Sequence, residues 1–200
     1  MTEIIKIALP IYFTIYFGLA FVLKSLLIAH KIGKNPLVLP KDDSAYGLIG
    51  FYFKTMLISV FLYVTVQAFF KIENEFFLTI HQLETPIIQY LGLILLIIAL
   101  IWTIIAQNHL KDSWRIGIDT VTKTNLITSG LFSVSRNPIF LGMILSLFGL
   151  FLTKPNALTI LFLIMGYVLI QIQIRLEEEF LLKQHGQTYQ QYKQTVRRLI

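Results

Sequence analysis

The sequence predicts an all-α integral membrane helical bundle of about five transmembrane helices with a C-terminal interfacial helix. Three observations lead there. Hydrophobic residues make up 56% of the 200-residue chain and charged residues only 14%, a composition far from that of soluble domains. Mean hydropathy is +0.70. Apolar runs recur at close to the roughly 20 residues an α-helix needs to cross the hydrocarbon core. The aromatic share, 14% with 16 phenylalanines, suits lipid-facing surface and interfacial belts. Cysteine is absent, which excludes disulfides, thiolate metal sites and cysteine nucleophiles. His30, His81, His109 and His185 lack ligand spacing, so no metal is expected.

The first apolar run, Ile7–Ala29, is too long for a signal-peptide core and shows no small-residue cleavage site, so it reads as a retained transmembrane helix. Pro10 is expected in its first turns, where proline is cheap, and Lys24 near its far end can snorkel to the headgroups. A loop from His30 to Gly47 carries turn chemistry at Gly33, Asn35-Pro36, Pro40 and Asp42-Asp43. The second span runs over Leu48–Phe70. An acidic loop with Glu73, Glu75 and Glu84 follows, and Pro86 opens a third span reaching Ala106.

Gln107–Asn137 is the longest polar stretch, and a loop of about thirty residues is seldom idle in a compact protein. The fourth span, Pro138–Thr153, and the fifth, Ala157–Ile174, are joined only by Lys154-Pro155-Asn156, so they form an antiparallel hairpin. Both are short and are expected to continue as polar helical turns beyond the lipid. In the tail, Leu176 and Phe180, then Tyr189, Tyr192, Val196 and Leu199, recur at helical spacing, with Gly186 between them as a helix stop.

Charge sets the orientation. Lys24, Lys31, Lys34, Lys41, Lys54, Lys111, Arg115, Lys123, Arg136, Arg175, Lys183, Lys193, Arg197 and Arg198 fall on one side of this five-span arrangement. Those are fourteen of the 17 basic residues, leaving Lys6, Lys71 and Lys154 for the other side. The positive-inside rule then places the N-terminus outside and the C-terminus in the cytosol. The net charge of +6 is thereby a matter of membrane topology, and no nucleic-acid partner is expected. A single domain over residues 1–200 accounts for the chain.

Two polar clusters fall on the cytosolic side. In the first, Gly130 can take a positive φ, Arg136 and Asn137 precede a helix start, and Pro138 suits its first turn. Such a start leaves N–H groups free and carries partial positive charge, so it favours an anion. The second is Arg175-Leu-Glu177-Glu178-Glu179. Consecutive residues point about 100° apart around a helix, so the three glutamates cannot share one environment. Arg175 also stands at ordinary surface-pair spacing from Glu178 and Glu179, and Lys193, Arg197 and Arg198 read as anchors for anionic headgroups. Trp114 suits either an interfacial belt or an aromatic wall, and His109 reads as a solvated loop residue.

Gly130-x5-Arg136-Asn137-Pro138-x-Phe140-x-Gly142, followed by Arg175-x-Glu177-Glu178-x-Phe180-Leu181-x4-Gly186-x2-Tyr189-x2-Tyr192-x3-Val196, resembles the isoprenylcysteine carboxyl methyltransferase family. Phospholipid methyltransferases share its broad plan. The resemblance is concentrated in residues 107–200. It implies a multi-spanning methyltransferase that takes its methyl group from S-adenosylmethionine and acts on a lipid-soluble or lipidated acceptor. It implies a cofactor site of Arg136, Asn137, Pro138, Phe140, Gly142, Glu177, Glu178 and Tyr189, with Arg136, Asn137 and Arg175 in catalytic roles. Where the family usually has Arg-His-Pro-x-Tyr, this chain has Asn137 and Phe140, losing an ionisable ring and a hydroxyl. Carboxylate, amine, thiol and hydroxyl acceptors all remain open, as does the oligomeric state. Two other classes use a similar plan: NADPH-dependent reductases of the sterol-reductase type, and non-catalytic membrane proteins. The adjacent Glu177-Glu178 favours the methyltransferase, because the extra phosphate of NADPH calls for basic residues there.

Overall fold

The computed structural model describes residues 2–38, 42–70, 74–117 and 125–200. Pro40, Lys41, Lys71, Glu73 and Lys123, used above in reading the loops and the charge count, lie outside the described residues. Helix α1 spans Thr2–Phe17, passes through a π-helical turn at Gly18–Leu23, and continues as α2 at Lys24–Ile32. Then come α3 at Ala45–Phe69, α4 at Pro86–Leu110, α5 at Pro138–Thr153, α6 at Ala157–His185 and α7 at Gln187–Thr195. Four stretches are long and apolar enough to cross a membrane: Glu3–Ile32, Ala45–Phe69, Pro86–Ser113 and Ala157–His185. The fifth, α5, has 16 residues, about 24 Å of helix against a hydrocarbon core of about 30 Å.

Local chemistry accounts for the boundaries. Ser44 Oγ accepts from Gly47 N at 3.1 Å and caps α3. Thr85 caps α4, whose first residue is Pro86. Asn156 and Thr159 form a reciprocal capping box at the start of α6. Gly33 at φ +66° ends α2, and Gly186 at φ +53° separates α6 from α7. Pro10 departs from expectation: α1 begins at Thr2, so the proline falls inside the helix and breaks its ladder. The π-helical turn was also not expected. There Lys24 N bonds Leu19 O and skips Ala20 O, which instead accepts from Gln107 Nε2 of α4 at 2.8 Å. The tail departs as well. α7 ends at Thr195, and Val196 is extended at φ −122° and ψ 135°, so Val196 and Leu199 do not continue the helix.

The helices turn their apolar residues outward. On α4, Gln89, Gly92, Leu96, Ala99, Thr103 and Ala106 are buried at three- and four-residue spacing, whereas Ile94, Ile97, Ile98, Ile101 and Ile105 are exposed. Lipid tails are as apolar as isoleucine, so small residues and hydrogen bonds hold such helices together. Two such hydrogen bonds join Tyr12 to Ser146 at 2.9 Å and Tyr16 to Thr103 at 3.1 Å. The small residues bring α4 and α5 together. A Cβ on Gly142 would lie 2.2 Å from Thr103 Oγ1, and one on Gly92 would lie 2.7 Å from Thr153 N.

Loop contacts sort the two ends of the bundle. At one end β1, Leu37–Val38, pairs in parallel with β2, Ile116–Gly117, and Lys31 Nζ meets Asp112 Oδ1 at 2.6 Å. The C-terminal tail joins the same end through a parallel bridge between Ser135 and Arg197. At the other end Thr79 bridges Asn156, and Ile80 N donates to Pro155 O at 2.9 Å. The described parts of the His30–Gly47 and Gln107–Asn137 loops and the tail thus meet at one end of the bundle.

Candidate active site at the mouth of the hairpin

The segment before α5 is built to receive the tail. Gly130 takes φ +64°, and a Cβ there would fall 2.6 Å from the His109 ring. His109 is therefore not a solvated loop residue: its Nδ1 accepts from Leu131 N at 3.3 Å and holds the turn against the end of α4. Tyr192 Oη donates to Phe132 O at 2.6 Å, and burial pushes its phenol up to about 12, so it remains a donor at neutral pH. Next, Arg136 N donates to Arg197 O at 2.9 Å and Asn137 Nδ2 to Arg198 O at 3.0 Å. Asn137 makes no side-chain cap on α5. Its amide is spent on the tail.

This pairing brings three charged side chains together. Arg136 Nη2 and Nε reach Glu178 Oε1 at 2.7 and 3.2 Å. Arg198 Nη2 reaches Glu178 Oε2 at 2.7 Å, and its Nε reaches Oε1 at 3.2 Å. Arg136 Nη1 also donates to the carbonyls of Lys193 and Val196. The side chains of Arg136 and Glu178 are 7% and 6% exposed and that of Arg198 36%, so the cluster has a buried core and one outward-facing guanidinium. The carboxylate beside it raises the Arg198 pKa further. Tyr189, fully buried next to these charges, is likewise held protonated, chiefly by burial.

The glutamates have three separate environments. Glu178 is locked between arginines. Glu179 is on the surface with Lys183 at 2.7 Å. Glu177 faces inward, where Gln173 Nε2 donates to its Oε1 at 2.8 Å, and its second oxygen has no protein partner among the described residues. Arg175 stands apart on the exposed face and donates to Gln171 O and Oε1 at 2.7 and 2.9 Å. Phe140 lies 6.4 Å from Phe53, ring centre to ring centre. Gly142 allows the close approach of α4, and Pro138 O accepts from Trp102 Nε1 at 2.8 Å. Trp114 is 2% exposed, which removes it from the lipid-facing belt.

Arg198 is the residue the sequence reading missed. From the sequence Arg197 and Arg198 both read as headgroup anchors, because nothing local marks either for a partner. In an extended tail successive side chains point to opposite sides, so Arg197 faces out and Arg198 turns in.

The sequence profile of a family described as phospholipid methyltransferase matches residues 87–188. That is 102 of the 200 residues, from the first turn of α4 through α5 and α6 into α7. It takes in the Arg136–Glu178 pair and ends before Arg198. No curated protein and no solved structure matches the chain. With more than half of its length inside that profile and an all-α membrane bundle around it, this chain belongs to the phospholipid methyltransferase family of integral membrane methyltransferases.

Proposed function

We propose that the whole chain acts as one domain that transfers a methyl group from S-adenosylmethionine to a lipid-soluble or lipidated acceptor at the face bearing Arg136, Glu177 and Glu178. The observation that carries this reading is the donor and acceptor set at the hairpin mouth. The cofactor has a carboxylate, an ammonium and a ribose diol, and the residues fit all three. Arg198 keeps an outward edge of its guanidinium, and the N-terminus of α5 adds backbone N–H groups suited to a carboxylate. The unpartnered oxygen of Glu177 suits the ammonium or the diol. Bound there, S-adenosylmethionine supplies an electrophilic methyl on a sulfonium.

In this reading Arg136 and Glu178 act as the rigid frame, and Asn137 holds the tail that carries Arg198. Phe140 contributes aromatic surface near the cofactor, and the buried Tyr189 sits against the Arg136–Glu178 pair. Arg175, on the exposed face, belongs with the headgroup-facing charges. In-line displacement depends on positioning and exclusion of water, which a docked tail supports.

Calorimetric titration of detergent-purified protein with S-adenosylhomocysteine and, separately, with NADPH tests the reading. Saturable binding of S-adenosylhomocysteine and none of NADPH is expected. Binding of NADPH alone would replace the methyltransferase with a reductase. We further propose that this face is cytosolic, on the strength of its basic residues. Single cysteines at Ser129 and Gln187, introduced into the cysteine-free chain, should resist an impermeant maleimide in intact cells. Labelling of either from outside would invert the orientation.

A further inference from the structure

At the opposite end of the bundle lies a polar cavity that the proposed methyl transfer does not use. Gln67, Phe77, Thr79, Glu84, Lys154 and Asn156 line it, with about 240 Å³ of empty space including its open mouth. Most of its polar groups are satisfied. Asn156 caps α6 through Oδ1 and donates from Nδ2 to Tyr63 Oη at 2.7 Å. Glu84 lies 3.7 Å from His81 Nδ1. Two groups are not. Lys154 is 6% exposed and Gln67 8%, and neither side chain makes a hydrogen bond or an ion pair among the described residues. Lys6, the other described lysine expected on this face, is paired with Glu3 at 2.9 Å.

Neither Lys154 Nζ nor the Gln67 amide is sealed from water, so both open on the cavity mouth, and an ammonium on so buried a side chain is costly unless something compensates it. Burial lowers the Lys154 pKa, and the Glu84 carboxylate opposes that only from beyond ion-pair distance. The turn between α5 and α6 is fixed in place, since Ile80 N donates to Pro155 O at 2.9 Å. What the cavity lacks is an oxygen anion placed between the ammonium and the Gln67 amide. We propose that this cavity is a phosphate-binding site, in which Lys154 and Gln67 hold a phosphate group at the headgroup level of the leaflet opposite the Arg136 cluster. The enclosed part is only water-sized, so the phosphate sits in the mouth. Glu84, on the rim, favours a phosphate that carries an amine at its far end. A phospholipid headgroup and free phosphate share the recognising chemistry and differ in source.

The test uses the full-length protein in detergent, followed by native mass spectrometry and thermal melting. The probes are phosphatidylethanolamine, a phosphate-free digalactosyl diacylglycerol, and millimolar inorganic phosphate. One phosphatidylethanolamine retained per chain is expected, with no comparable retention of the galactolipid. Lys154→Met should weaken that retention by at least about tenfold. Lys154→Arg and, on the other face, Lys193→Ala should each change it less than about threefold. If inorganic phosphate displaces the lipid and by itself raises the melting temperature of the wild type but not of Lys154→Met, the site stands and also accepts phosphate from water. Equal retention of both lipids by the wild type would overturn the proposal without reference to any variant. So would tight retention by Lys154→Met. That variant removes a charge on a largely buried side chain with no ion-pair partner among the described residues, so without ligand it should be at least as stable as the wild type.

Discussion

Glu178→Gln is expected to weaken S-adenosylhomocysteine binding by at least about tenfold, because Glu178 fixes the Arg198 guanidinium proposed to face the cofactor through charge-assisted bonds. The geometry also adds a structural effect. Glu178 accepts four hydrogen bonds from two arginines, and the glutamine amide retains shape but leaves those guanidinium charges uncompensated. Removing one partner of a buried ion pair typically costs about 3–5 kcal/mol. Arg198 is partly solvated, so about 2–3 kcal/mol is expected here. The tail should loosen before the bundle does, because Arg198 and the Arg136–Arg197 backbone bond stand on the same carboxylate. Hydrogen exchange at the Arg136 amide reports this directly and should accelerate in Glu178→Gln. Glu179→Gln, on the surface with Lys183, should change binding less than about threefold and leave that exchange rate alone. Small and equal effects of the two substitutions, in folded protein, would remove the cluster from the cofactor site.

Gly92→Leu is expected to abolish folding into the membrane bundle, and Gly92→Ala to destabilise it by about 1–3 kcal/mol, the range for overpacked cores. A Cβ at Gly92 would lie 2.4 Å from Thr153 Oγ1, 2.7 Å from Thr153 N and 2.9 Å from Gly149 O. Two of those atoms are backbone and cannot rotate aside. Gly166 makes a useful contrast. There a Cβ would first meet Leu147 Cδ1 at 2.3 Å, the end of a side chain that can turn away, so Gly166→Ala should be milder. Size-exclusion profiles of detergent-solubilised protein would show the difference as loss of the monodisperse peak. A monodisperse, S-adenosylhomocysteine-binding Gly92→Leu protein would mean that the α4–α5 contact is looser than described.

Much of this molecule was legible in the sequence, because a bilayer imposes a one-dimensional rule. Each crossing must be a helix of nearly fixed length, so apolar runs located the four helices of spanning length and the shorter α5, and turn residues such as Pro86, Asn156 and Gly186 located their ends. The spacing of Arg136, Glu177, Glu178 and Tyr189 pointed to the family, whose profile covers Arg136, Glu177 and Glu178. The sequence also separated Glu177, Glu178 and Glu179 by helical geometry alone.

Other features depend on partners distant in the chain, and only the tertiary structure decided them. His109 became a latch because Leu131 returns to it. Asn137 gave up capping because the tail's carbonyls compete for its amide. Arg198 turned inward because the chain leaves α7 extended at Val196, and that was settled by backbone pairing of Arg197 with Ser135 and Arg136. The same holds for Lys154. Its charge was visible as a residue count, but its burial beside Gln67 follows from how the α5–α6 turn seats against the end of α3. Local patterns determine helices through contacts three or four residues apart. Charges acquire their roles from neighbours 20 to 62 positions away, such as Arg198 from Glu178 and Arg136, a distance at which periodicity carries no information.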